Sequence, residues 1–455
     1  MQQERSQMLG TMPMNKLVPK VSVPIMISML VQALYNVVDS IFVAKYDPNA
    51  LTAVSLAMPI QMLMIALSTG MGVGINSLIS RKLGEKRPDE ARQAAKNGVL
   101  VELCGFVLFL IIGLFFSRTF MGIFTPDENL RELGSVYLSI VCSVSVGLFL
   151  SITLERMLQA TGNTVCSMVT QLTGAVINIV LDPILIFGLL GLPAMGIAGA
   201  AWATVIGQLS SATLGFILNQ TKNKELRLQW DRFRPDGKML KGILAVGFPS
   251  TIMQSISSFL NVLMNLLLIQ YGNTAVSVLG VYFKLQSFVF MPVFGLGNGL
   301  VPIVGYNYGA RLRQRVYDAV KVALTYAVVI MAVGTLLFMT IPEVLMGMFE
   351  ANGPSELTAI GAPALRTIST HFILAAIGIT LSTVFQAVGK GSYSLLMSLC
   401  RQLIVLLPAA WLLSTFGGLS AIWWSFPIAE LVSLTICLIL YRKCDREMLK
   451  PLENA

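Results

Sequence analysis

The sequence predicts an all-α integral membrane protein of twelve transmembrane helices in two pseudo-symmetric six-helix bundles. Three observations carry that expectation. Apolar residues make up 55% of the chain and charged residues 12%, against roughly 25% charged in a soluble domain. Twelve apolar runs are long enough to cross a bilayer, which takes ~20 residues each. The two halves of the chain also repeat each other.

The runs are bounded by charges and by Gly/Pro clusters, and fall at about 18–44, 52–80, 93–117, 132–155, 163–188, 196–219, 240–271, 274–306, 316–341, 359–386, 392–415 and 419–441. The first is too long and too polar in its second half for a cleavable signal, so it is expected to be the first span. Lys and Arg set the orientation. Of 32, 26 fall in the tails and in the loops after even-numbered spans, while Lys45, Arg118, Arg131 and Arg366 fall in the opposite loops. Both termini are therefore expected in the cytoplasm. The same asymmetry accounts for the net charge of +9 without nucleic acid as a partner.

The repeat runs at an offset of 225 residues. Pro24 falls on Pro249, Asn36-Val37 on Asn261-Val262, Gln61 on Gln286, and Gly70, Gly72 and Gly74 on Gly295, Gly297 and Gly299. Gly84 falls on Gly309 and Met121-Gly122 on Met346-Gly347. Six spans per half is an even number, so the halves share one orientation and are related by an axis along the membrane normal. Expected domains are 1–221 (first bundle), 222–241 (cytoplasmic linker) and 242–455 (second bundle and tail). The Gly-x-Gly-x-Gly runs lack the preceding strand of a nucleotide-binding loop; small residues at that spacing let helices pack closely or bend.

Catalysis has little to work with. The six cysteines lie in or at the end of apolar runs without paired spacing, and His371 is the one histidine, so disulfides, multi-histidine metal sites and histidine catalysis are not expected. No cofactor and no nucleotide is expected.

Polar groups inside a bilayer are costly and mark function. Span 1 carries Gln32, Tyr35, Asn36 and Asp39 on one helix face, and span 5 places Asn178 one turn from Asp182. Tyr137 of span 4 and Thr204 of span 6 reach a similar depth, because even spans run the other way. Either these groups share one hydrated pocket, or the two aspartates sit near the outer interface and reach water. In a pocket, the carboxyl pair can hold a proton or a small cation, and the oxygens of Asp39, Asn178, Asp182 and Thr204 also suit Na⁺. The second half has Met264 at the position of Asp39 and an apolar residue near Pro408 at that of Asp182, and span 7 offers an uncharged wall of Gln254, Ser258, Asn261 and Asn265. Ion coupling is thus expected in the first bundle, and substrate contact along Gln32, Tyr35, Asn36, Gln254, Ser258, Asn261, Asn265 and Lys284. Lys284 lies about ten residues deep, roughly 15 Å, which suits either a functional role or an ion pair; Glu430 is comparably deep. Arg401, Glu102 and Glu155 are nearer one surface and expected to snorkel. His371 reads as a satisfied histidine or as a protonatable group.

Pro24 with the Asn36-Val-Val-Asp39 stripe, Gln159-Ala-Thr-Gly-Asn-Thr164, Asn178-x-x-x-Asp182-Pro183 and Gly199-Ala-Ala-Trp-Ala-Thr204 together resemble the multidrug and toxic compound extrusion (MATE) family of the MOP superfamily, over about residues 15 to 441. The resemblance implies a V-shaped pair of lobes that alternates between outward and inward openings. It implies export of amphiphilic, often cationic compounds in exchange for H⁺ or Na⁺, with Asp39 central to coupling. Tyr137, Asn178, Asp182 and Thr204 match the rest of the family's first-lobe ion network. Ser257 and the lack of a carboxylate between Thr367 and Gln386 are closer to the DinF-like prokaryotic branch and speak against a second-lobe Na⁺ site. The expected setting is a bacterial inner membrane, with the chain working as a monomer among membrane lipid. The alternative is a flippase for a lipid-linked precursor on the same two-bundle plan, and a membrane-embedded enzyme is not expected.

Overall fold

The computed structural model describes residues 6–229, 233–349 and 356–454. Among the described residues, ten helices are long and apolar enough to cross a membrane, and two bent pairs raise the number to twelve. In chain order they are α1 (Met14–Tyr46), α2 (Pro48–Gly84), α3 (Pro88–Phe124), α4 (Glu128–Ser143 with Val146–Ala160), α5 (Thr164–Phe187) and α6 (Ile197–Lys222). There follow α7 (Gly237–Leu268), α8 (Asn273–Gly309), α9 (Arg313–Thr340), α10 (Glu356–Ser369 with Phe372–Ala387), α11 (Gly391–Ile422) and α12 (Ser425–Cys444). Large apolar side chains such as Phe115, Phe116, Leu336 and Phe416 are exposed, a surface that lipid rather than water covers.

Local chemistry sets the helix ends. Asp127 accepts the backbone N–H groups of Asn129 and Leu130 at 2.9 and 3.3 Å ahead of α4, and Asp236 accepts that of Lys238 at 2.8 Å ahead of α7. Gly188, at φ 73°, ends α5 in the left-handed conformation. Spans 1 to 10 and span 12 coincide with helices to within about eight residues at each end. Span 11 does so as well: Gly418 leaves the helical region, but helical turns resume through Ile422, so the Gly417-Gly418 pair kinks the element without ending it.

Two spans expected to be continuous are broken. α4 bends by 45° after Ser143 and α10 by 50° after Ser369, at equivalent places in the repeat. In α10 three consecutive side chains cause the break. Ser369, Thr370 and His371 take the carbonyls of Arg366, Thr367 and Ile368 at 3.1, 2.7 and 2.6 Å, in competition with the helix's own ladder.

The bundles meet at the end that carries the chain termini. A Cβ on Gly70 would lie 2.7 Å from the Cα of Thr251 in α7, and one on Gly295 would lie 2.7 Å from the Cα of Met26 in α1. One on Gly74 would lie 2.9 Å from the Gly247 nitrogen, and one on Gly299 would lie 2.8 Å from the Cα of Ser22. Met26 and Ser22 are the register partners of Thr251 and Gly247, so the two contacts obey the same pseudo-two-fold axis. Gly84 and Gly309 continue the seam against Ala310 and Arg81. The Gly-x-Gly-x-Gly runs are therefore packing devices, and what they pack is one bundle against the other. Ser77 adds a hydrogen bond to the Gln386 carbonyl at 2.6 Å.

A short helix, Gln7–Thr11, precedes α1 at this end. Its Leu9 carbonyl accepts from Asn307 at 2.9 Å, and the Met12 carbonyl accepts from Arg315 at 2.8 Å. The connector before α7 is anchored too, with Asn97 accepting the Asp236 N–H at 3.0 Å.

Candidate functional site

Small residues build the first bundle's polar site. Gly174 and Gly207 let α5 and α6 touch backbone to backbone, since a Cβ on Gly207 would lie 2.7 Å from the Gly174 carbonyl oxygen. That contact brings Asn178 to Thr204: the amide donates to the hydroxyl at 3.3 Å, and the hydroxyl donates to the Ala200 carbonyl at 3.0 Å. One turn along α5, Asp182 is fully buried and its carboxyl stands against that of Asp39 on α1. Tyr35 and Tyr137 lie within electrostatic reach of both carboxyls.

The site is short of donors. Both Asp182 oxygens, Oδ1 of Asp39 and Oδ1 of Asn178 are buried and have no hydrogen-bond partner. A carboxylate only accepts, so the contact between the two aspartates closes only with a proton or a cation between them. Tyr137, itself 3% exposed, donates to Gln61 at 3.4 Å rather than to either carboxyl. Four buried oxygens with nothing to accept are a costly arrangement in a low-dielectric setting, and oxygen donors of this kind suit H⁺ or a small hard cation. Among the described residues no three His, Cys, Asp or Glu side chains group as a metal site.

Of the residues expected at the ion site, the structure brings together Asp39, Asn178, Asp182 and Thr204, with Tyr137 beside them. Gln61 was not anticipated, although its repeat partner Gln286 could have drawn attention to it. The expected substrate residues scatter. Gln32 is exposed and donates to Tyr35 at 3.5 Å, and the Asn36 side chain lies outside the described residues. Gln254 meets Thr69 across the seam at 2.6 Å, so it helps join the bundles instead of facing an open cavity. Ser258 and Asn265 are exposed, while Asn261 lines a cavity inside the second bundle.

The side chains of Lys284, Arg401, Glu102 and Glu155 point elsewhere than expected. Lys284 is exposed, with its ammonium 5.9 Å from the Phe349 ring, and it is not among the residues lining that cavity. Arg401 does not snorkel outward but pairs with Glu430 at 3.5 Å. Glu102 and Glu155 also turn inward, buried against Ser68 and Gln171 at 2.8 and 2.9 Å. Sequence position gives a side chain's depth but not its direction around the helix.

The MatE family profile matches this chain twice, over residues 24–184 and 249–412. The chain belongs to the MatE family. The two matched segments start at Pro24 and Pro249, the register partners of the repeat, so each bundle carries one MatE unit. Among curated proteins, the multidrug export protein MepA of Staphylococcus aureus (strain MSSA476) is 28% identical over 95% of both chains. The MepA of Staphylococcus haemolyticus is 28% identical over 92% of this chain and 90% of its own. A solved structure described as the outward-facing conformation of a multidrug resistance MATE family transporter of the MOP superfamily covers all of both chains at 25% identity and a TM-score of 0.91. A MOP superfamily transporter from Pyrococcus furiosus matches with the same identity and score over 100% and 99%. This MatE chain is thus a multi-pass membrane transporter and not an enzyme.

Proposed function

We propose that the chain exports small amphiphilic organic compounds from a bacterial cell in exchange for H⁺ or Na⁺, by alternating access of its two bundles, with both termini in the cytoplasm. The observation that carries this reading is the set of unpartnered oxygens on Asp39, Asn178 and Asp182. The multidrug export proteins it resembles support the substrate class.

The exchange follows from electrostatics. An empty pair of buried carboxylates is costly, because each charge has lost its hydration and found no partner. A proton or Na⁺ entering from the open end relieves that cost and draws α1 toward α5. A cationic compound competes for the same charge, so the site holds one or the other. Each monovalent cation moving inward down 100 mV supplies ~2.3 kcal/mol, enough to sustain an outward gradient of the compound without a nucleotide. In this cycle Asp39 and Asp182 bind the ion, Asn178 and Thr204 complete its oxygen shell, and Tyr35 and Tyr137 cover it.

The test is ethidium transport in everted vesicles with an imposed pH or Na⁺ gradient. Asp39→Asn should abolish gradient-driven transport while the protein still reaches the membrane; intact transport in this variant would sink the coupling assignment. The gradient that drives the wild type identifies the ion. The flippase alternative has lost its support, since Lys284 and Arg401 do not form a cationic cavity.

A further inference from the structure

The first bundle holds a second set of buried ionisable groups that the aspartate site does not use. Ser68 and Glu102 lie about midway along α2 and α3, and the Ser68 hydroxyl donates to Oε2 of Glu102 at 2.8 Å. Glu155 and Arg156 lie nearer the termini-bearing end of α4, where Gln171 of α5 donates to Oε2 of Glu155 at 2.9 Å. Asp39 and Asp182 stand toward the opposite ends of α1 and α5. This layer therefore lies between the aspartate pair and the end that carries the termini.

Glycine makes the room. The outer glycines of the Gly-x-Gly-x-Gly runs pack against the opposite bundle, but the middle one faces its own. A Cβ on Gly72 would lie 3.0 Å from Cγ of Arg156, and Ser68, one turn away on the same face of α2, meets Glu102. In the second bundle Gly297 faces Thr383 in the same way, with a Cβ 2.9 Å from the hydroxyl oxygen. Thr383 is the register partner of Arg156, since Gln159-Ala160 falls on Gln386-Ala387 after a slip of two residues. Ser382 stands in the place of Glu155, Ala327 in that of Glu102 and Val293 in that of Ser68. The niche is duplicated and its charges are not.

Those charges do not balance. Glu102 is 1% exposed, and its Oε1 is buried without a hydrogen-bond partner. Arg156 lies within electrostatic reach of Glu102 and of Glu155. Among the described residues its guanidinium donates to Gln159, at 2.8 Å, and to neither carboxylate. Ser211 of α6 and Gln171 complete the surroundings of Glu155. Two carboxylates and one guanidinium sum to a formal charge of −1 in the interior, with one carboxylate oxygen unmet.

We propose that this layer is a proton-binding site, separate from the aspartate pair, with Oε1 of Glu102 as the acceptor. One proton taken from water converts Glu102 to the neutral acid and brings the layer from −1 to zero; its release restores the carboxylate. Na⁺ is not the ligand here. A hard metal cation needs a shell of several oxygens, whereas Glu102 offers one free oxygen beside a guanidinium that repels a cation. Binding stands on this geometry alone, and the place of the proton in a transport cycle rests on the exchange proposed for the aspartate pair.

The experiment records infrared difference spectra of the full-length protein in lipid bilayers as the pH is lowered, following the C=O stretch of protonated carboxyl groups. Glu102→Gln, which keeps the side-chain volume, should remove one component of that band. In wild-type protein carrying isotopically labelled glutamate the same component should shift, a result that needs no substitution. It should persist in Asp39→Asn/Asp182→Asn and be unchanged when K⁺ is exchanged for Na⁺. A wild-type band with no glutamate component, a band that Glu102→Gln leaves whole, a component lost with the two aspartates, or one displaced by Na⁺ would each overturn the proposal. If the component is present but wild-type vesicles show no gradient-driven ethidium transport, the transport reading alone falls.

Discussion

The two bundles share a backbone plan and part company in their charges. At the centre of the first, two carboxyls face each other with no donor; inside the second, the buried carboxylate of Glu430 faces the Arg401 guanidinium across 3.5 Å. The packing residues have been kept in both, since Gly70 and Gly295, or Gly74 and Gly299, approach the opposite bundle at matching distances. The difference teaches that a duplicated membrane fold is held by its small residues and given its tasks by a handful of ionisable ones. The first bundle leaves its buried carboxyl oxygens without a donor. The second supplies its own counter-charge.

The sharpest way to break this comparison is to remove a charge from each side. Asp182→Asn should lower gradient-driven ethidium transport at least 100-fold, because its neutral amide no longer competes for a cation; a variant that transports normally would reduce the carboxyl pair to a single working aspartate. Arg401→Gln leaves Glu430 buried without its partner and should destabilise the protein by ~3 kcal/mol, seen as a lower Tm in detergent. The double variant with Glu430→Gln should recover most of that loss. The seam offers a symmetrical test of intermediate size. Gly74→Ala and Gly299→Ala should each shift the population toward separation at the termini-bearing end by about tenfold, or ~1.4 kcal/mol, read as faster maleimide labelling of a Ser77→Cys reporter. Unequal responses would show that the pseudo-two-fold axis is geometric but not energetic. The smallest effect is expected at the surface. Glu90→Gln breaks a solvent-exposed contact to Lys82 at 2.8 Å and should change stability by less than ~1 kcal/mol.

Much of this was legible in the chain. Hydropathy located the twelve spans because burial in lipid demands long apolar runs, and alternation of span direction brought Asp39, Asp182, Tyr137 and Thr204 to one depth. The joint between α5 and α6 was harder to read: Asn178 reaches Thr204 only because Gly174 and Gly207 touch. The breaks in α4 and α10 escaped notice, since a run such as Ser369-Thr370-His371 is no less helical in composition than its neighbours, and its competition for carbonyls is visible only in three dimensions. Arg401, Glu102 and Glu155, expected to snorkel outward, turn inward to Glu430, Ser68 and Gln171. Hydropathy carries no information on azimuth for a solitary charge.

The amino-terminal segment has a further consequence. Arg315 holds the carbonyl of Met12, and α1 begins at Met14. The two Cα–Cα steps from Met12 through Pro13 to Met14 span roughly 7 Å when fully extended. While that clasp holds, the start of α1 cannot draw away from α9 beyond the length of this leash. Any opening at the termini-bearing end thus meets a mechanical stop set by the number of residues in a tether, and widening it further requires the clasp to let go.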